Sequence, residues 1–361
     1  MTYSTRAARP RYRPAIAAGL GVVLTVGCGF AIPEPTAPAT LPDALPSSGT
    51  ALTVVRLALQ WQPQSQFAGY YLARDKGLYR AAGLDLRLLH ANPEHSSLDM
   101  LRAGAADLAT LFLTDALIAA SPRFADRSVE SAIVQVAQLV QRSNLMLLAW
   151  KDMGITKAKG LDGQRVSYWP GGFSTSFQAF FAAGGIRPAV IPQYYSVNLF
   201  LQRGVVGCAA MEYNEYHRIW QSGIDSERIT AFRMRDYGLG FPEDGLYATA
   251  HWVRDHPELA RAVRRAILAG WTYARAHPQE AIDAVLAEAR QAGVSTNRPH
   301  ERWMLRHILD SIFVAGTPPA AFGSLDRSAF ASAVLALRSA GLMDQAPEFA
   351  VFVPFEGGAS P

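Results

Sequence analysis

Tyr213-Asn214-Glu215 sets a phenol, a carboxamide and a carboxylate side by side. The carboxylate can accept from ring or amine N–H groups, the amide can donate and accept, and the Tyr ring can stack on a flat partner or cap it. Other large rings stand where apolar runs break: Trp61, Phe67, Tyr70, Trp169 and Tyr194. Thr114-Asp115 follows another apolar run with a hydroxyl and a second carboxylate. These two either face a cleft or cap the helix Ala116–Ala120. Gly172, Ser174 and Thr175 belong to a glycine-rich loop whose free backbone N–H groups at a helix start can hold an anion or a carbonyl oxygen. Rings for walls and polar groups along one edge suit a flat heteroaromatic guest. Glu215 also has a plainer reading, as a carboxylate favourably placed at a helix start.

Reaction chemistry finds less support. The sequence has no G-x-S-x-G elbow, no P-loop and no H-E-x-x-H. Glu212 and Glu215 imitate an acid/base pair, but without a nucleophile or metal. His90, Glu94 and His95 flank Pro93 without metal-ligand spacing. The expectation is a binding protein, not an enzyme, with no metal and no cofactor.

Strands and helices alternate around these groups. Val54–Leu59 and Leu84–Leu89 read as parallel strands joined by a helix over Phe67–Tyr79, and Pro63 forbids the first strand from continuing past Trp61. Ligands of open α/β sheets bind beyond the carboxyl ends of strands, which places Trp61 on a cleft rim. Ser96 or Ser97 caps a helix ended by Gly104, and Asp107–Leu113 is the third strand. Ser131–Val140 and Leu145–Trp150 follow, the latter crossing into a second lobe. There, Arg165–Trp169, Ile191–Tyr195, Gly204–Ala210 and Ile229–Arg233 read as strands. Thr175 with Gln178 fits a capping box for a helix whose core stripe is Phe177, Phe180 and Phe181. Ser196 caps Val197–Gln202. Leu246–Trp252 returns to the first lobe, and from Pro257 the chain is mostly helical and packs there. The expected architecture is α/β, with two doubly wound lobes, 51–147 plus 246–355 and 148–245. Crossings near Leu145–Trp150 and Gly245–His251 would form a hinge that closes over a ligand.

The opening stretch resembles the solute-binding proteins of ABC importers. The branch is the one that holds thiamine-pyrimidine (NMT-like), riboflavin, nitrate and alkanesulfonate binders. Trp61, Pro63, Gly69, Ala73, Gly77, Tyr79, Gly83 and Leu84 carry the likeness, which extends over about residues 54–315. It implies a periplasmic-binding-protein type II fold and a monomer that hands a small molecule to an ABC permease. The pyrimidine binders have an aromatic–Asn–x–Glu group near the position of Tyr213-Asn214-Glu215, which is one residue shorter. Asp236, Gly238 and Pro242 match a further stretch of the relatives in part. The resemblance implies a thiamine-type aminopyrimidine ligand. Alternatives are riboflavin, nitrate or a sulfonate, or the activity of fungal pyrimidine synthases of the same fold, which carry a cysteine-rich loop. Here Gly172–Ser176 contains no cysteine.

The formal charge of +4 and pI near 9.1 are set by the leader. Arg6, Arg9, Arg11 and Arg13, with no acid among residues 1–27, account for the whole excess, so no nucleic-acid partner is expected. Those arginines precede an apolar run over Ala15–Val26, too short to span a bilayer and suited to an export signal. The signal ends at Cys28 in a pattern resembling a lipoprotein site, which implies lipidation of Cys28 and anchoring to the cell membrane on its periplasmic or extracellular face. Residues 28–50, with five prolines, read as an extended tether. Cys208, the other cysteine, reads as a small buried hydrophobe.

Overall fold

The computed structural model describes residues 51–92, 94–121 and 132–355. The leader 1–27, Cys28 and the tether 28–50 lie outside the described residues. The first lobe opens with β1 (Thr53–Leu59), α1 (Ala68–Asp75), α2 (Leu78–Ala81), β2 (Leu84–His90) and α3 (Ser97–Arg102). The expected single helix over Phe67–Tyr79 is instead a 3₁₀ turn at Ser65–Phe67 followed by α1 and α2. Gly77, at φ 69°, breaks it in a left-handed conformation that favours glycine. Ser96 caps α3 in a reciprocal pair with Asp99. Then come β3 (Leu108–Phe112), α4 (Leu113–Ala120) and β4 (Ile133–Gln138).

After β4 the chain enters a second sheet with β5 (Leu145–Trp150), β6 (Arg165–Tyr168), α5 (Thr175–Ala183), β7 (Ala189–Pro192), α6 (Asn198–Leu201), β8 (Gly207–Met211), α7 (Glu215–Gln221) and β9 (Ile229–Arg233). It returns through β10 (Asp244–Thr249). The expected strand Leu246–Trp252 thus begins two residues earlier and ends at Thr249, whose hydroxyl accepts from the Trp252 N–H and starts α8 (Ala250–Asp255). Likewise the strand expected over Ile191–Tyr195 ends at Pro192, so Tyr194 stands in the following loop.

The first sheet has the order β2-β1-β3-β10-β4 and the second β7-β6-β8-β5-β9. Within each, one strand runs against its neighbours: β10 against β3 and β4, β5 against β8 and β9. Both are the first strands laid down after a crossing. The parallel strands deliver their carboxyl ends to the gap between the sheets, so a chain arriving from that gap must start at the same rim and run the opposite way. The topology therefore aims both sheets' carboxyl ends at one cleft.

The two crossing segments are bonded to each other. Glu243 Oε1 accepts from Ser143 Oγ (2.9 Å) and the Asn144 N–H (2.7 Å), and Oε2 from Asn144 Nδ2 (3.1 Å). Helices α9 (Pro257–Ala276), α10 (Pro278–Gln291), α11 (Arg298–Ile312), α12 (Arg327–Ser339) and α13 (Phe349–Phe352) complete the chain. Backbones meet closely where α1 crosses α9: a Cβ on Gly270 would lie 2.3 Å from the Gly69 carbonyl oxygen. Not all of these helices stay with the first sheet. His300 and Trp303 on α11 reach His217 on α7 of the second sheet, with ring centroids 5.1 and 4.6 Å away.

Candidate functional site

Trp61 follows the end of β1 by two residues, and its backbone is held from behind. Its carbonyl accepts from His90 Nδ1 (2.6 Å), which leaves His90 Nε2 to accept from the Tyr71 hydroxyl (3.2 Å). Burial lowers the His90 pKa, which suits this neutral imidazole. The indole projects among rings of the second lobe. Tyr195, Phe173 and Trp169 lie 4.7, 5.4 and 6.1 Å away between centroids, each edge-on to Trp61. Trp169 is fixed by its indole N–H, which donates to the Tyr194 carbonyl at 3.1 Å.

Two cavities meet at this cluster and share Trp61, Trp169 and Phe173. The smaller, about 20 Å³, adds Gln64, Gln66, Tyr213, Asn214 and Glu215. The larger, about 390 Å³, has the size of an ordinary small-molecule site and adds Asp99, Asp115, Gly172, Gln193, Tyr194 and Tyr195.

Glu215 opens α7 and is 3% exposed. Its Oε2 accepts from the Met211 N–H (2.9 Å) and its Oε1 from Asn214 Nδ2 (2.7 Å). Burial still raises its pKa to about 7, with the Met211 N–H bond, its own backbone N–H and Arg218 pulling the other way. Asn214 is committed inside the protein. Its amide also donates to Gln64 Oε1 (3.4 Å), and its oxygen accepts from Arg218 Nε (2.9 Å) and His300 Nε2 (3.0 Å). That uses both hydrogens and both lone pairs, so Asn214 orients Glu215 and has no free bond for a guest. The polar edge continues back to the first lobe. Gln64 Nε2 donates to Gln66 Oε1, and Gln66 and Gln60 each donate to Asp244, every step at 2.6 Å. Burial raises the Asp244 pKa to about 7 and that of Glu243 to about 8.

Of the residues singled out in the sequence, Trp61, Trp169, Tyr213, Asn214, Glu215, Asp115, Gly172 and Tyr194 line these cavities. Tyr194 is 52% exposed and sits at the outer end. Phe67 and Tyr70 line neither cavity; both are fully buried, and Tyr70 packs edge-on to Trp271 (6.0 Å). Their face of the helix turns into the core and not toward the cleft. Thr114, Ser174 and Thr175 line neither as well. Thr175 Oγ1 donates to Asp115 Oδ1 (3.2 Å), so the expected Thr175/Gln178 capping box does not form; Gln178 donates to Ser174 Oγ, and Ser174 donates to the Gly171 carbonyl. Asp115 makes no helix cap and instead spans to the second lobe. Gln64, Gln66, Phe173 and Tyr195 were missed. Their signal was present: polar residues following Trp61 and rings beside Gly172 and Tyr194, all at strand exits.

Two sheets that turn their carboxyl ends toward one ring-lined gap, bridged twice by the chain, make up the two-lobed α/β arrangement of the periplasmic-binding-protein fold. Residues 64–281 match the NMT1/THI5-like family, and the chain belongs to it. A riboflavin-binding protein, RibY, of Chloroflexus aurantiacus is 27% identical over 77% of this chain and 79% of its own. A formylaminopyrimidine-binding protein of Halalkalibacterium halodurans is 24% identical over 78% of this chain and 83% of its own. The solved Candida albicans CA3427 gene product, described as having the generic periplasmic binding protein fold, superimposes with a TM-score of 0.59 at 16% identity, covering 82% of this chain and 92% of that one. Both relatives compared by sequence are binding proteins.

Proposed function

We propose that the gap around Trp61 captures a flat heteroaromatic molecule of the thiamine-pyrimidine type, held outside the cytoplasm for delivery to a membrane permease. The observation that carries this reading is the convergence of Trp61, Trp169 and Phe173 on a gap whose far edge is the buried Glu215 carboxylate. Ring-on-ring contact adds about 0.5–1.5 kcal/mol per pair beyond burial. The carboxylate, steadied by Asn214, accepts from an exocyclic amine. The smaller cavity holds about one water at 20 Å³, so entry of a ring requires Trp61 to turn or the lobes to part. The larger cavity supports a second reading, riboflavin, whose polyol tail would extend into the space of about 390 Å³ beyond Trp61.

Location follows from the leader. Export, lipidation at Cys28 and a proline-rich tether would hold a monomeric binding domain near its permease. Mass spectrometry of the mature N-terminus tests this; an unmodified Cys28 removes the anchor. The binding site is tested by calorimetry with an aminopyrimidine and with riboflavin. Trp61→Ala and Glu215→Gln are each expected to weaken the bound ring at least about tenfold. If neither substitution weakens any flat ring, the site is elsewhere.

A further inference from the structure

We propose that this gap admits only ligands whose substituents are uncharged or cationic, and that it rejects the phosphorylated and sulfonated forms of the same rings. The inference rests on the reading of the gap as a ring site and deepens it. Among the described residues lining the two cavities there is no lysine, arginine or histidine, whereas Asp99, Asp115 and Glu215 all contribute carboxylates. Arg218 adjoins the site but spends its Nε on Asn214 Oδ1 and lines neither cavity. His90 has both ring nitrogens engaged.

The remaining place where an anion could settle is the Gly171–Ser174 turn before α5, and an internal carboxylate already stands against it. Thr175 Oγ1 donates to Asp115 at 3.2 Å, and a Cβ built on Gly172 would come 2.5 Å from Asp115 Oδ2. Glycine at this position leaves the space in which that carboxylate stands. A phosphate ester entering here would face carboxylates and, among the described residues lining the cavities, no cation. Hydroxyl and amine substituents would instead find acceptors at Asp99 and Asp115.

The test compares two pairs by calorimetry at about pH 8: riboflavin against its phosphate ester, and a hydroxymethyl aminopyrimidine against its phosphate ester. For whichever ring binds, the phosphorylated member is expected to bind at least roughly a hundredfold more weakly, the consequence of burying an unpaired charge. In Asp115→Asn that gap is expected to narrow severalfold. Equal or tighter binding of a phosphate ester by the unaltered protein overturns the inference and leaves the ring site standing. Failure of both unphosphorylated rings overturns the ring site, and the inference with it. Should Asp115→Asn not fold, the ratio measured on the unaltered protein decides alone.

Discussion

Glu215 is buried with one donor on each oxygen, and its pKa stands at about 7 against an ordinary 4.5. Between those two values the folded chain holds a proton that the unfolded chain has released. Its contribution to stability is therefore highest at low pH, falls as pH rises through this window, and is level above about 7. At about 1.4 kcal/mol per pH unit, the loss is on the order of 3 kcal/mol. Asp115, Asp244 and Glu243 are raised in the same direction, so these four carboxyl groups together favour pH 5 over pH 8, while the lowered pKa values of His90, His217, His300 and His307 act the other way below about 6.5. Glu215→Gln should flatten this slope by its own share. Urea midpoints of both proteins at the two pH values measure it, and identical slopes would show that Glu215 titrates normally.

The elements hold these residues through contacts of very different kinds. At the crossings the hold is polar: Glu243 satisfies Ser143 and Asn144, and Ser311 on α11 donates to Asn144 Oδ1 at 3.0 Å. Where α1 crosses α9 it is steric. Gly270→Ala would thrust a methyl group against the Gly69 carbonyl, which is backbone and cannot swing aside. Overpacking of this type costs about 1–3 kcal/mol or more. We expect a lowered urea midpoint at unchanged slope; a midpoint equal to that of the unaltered protein would mean that the helices part without cost. Much of this level is legible in advance. The Ser96–Asp99 cap and the Phe177–Phe180–Phe181 stripe depend on residues within one or two turns of each other. Strand ends were less legible, because Tyr194 and Trp252 are rings that suit a strand by type and only pairing partners mark where a ladder stops.

Across the whole molecule, α11 ties the second lobe to the first. His300 donates to Asn214, His217 lies 2.8 Å from His300 between Nδ1 atoms, and Trp303 stacks on His217 within 6° of parallel. Burial, with Arg218 and His217 adding to it, lowers the His300 pKa to about 3, so this clasp is uncharged at neutral pH. A clasp that grips α7 holds Glu215 toward the gap. Trp303→Ala is therefore expected to speed ligand release severalfold while the fold persists. Stopped-flow fluorescence, reporting Trp61 beside the guest, measures the rate; an unchanged rate would make the clasp a packing contact alone.

The strand–helix order, the Ser96 cap, the family and the rings at strand exits were all determined by residues near one another in the chain. Local period and local hydrogen bonding are enough to specify them. Only the tertiary structure decided that Phe67 and Tyr70 turn inward, that Asp115 meets Thr175, and that Asn214 is saturated by Gln64 and His300, 150 and 86 residues away. An amphipathic stripe shows that a face is buried without showing against what. Partners that far apart meet only when both sheets have formed and the chain has crossed between them twice.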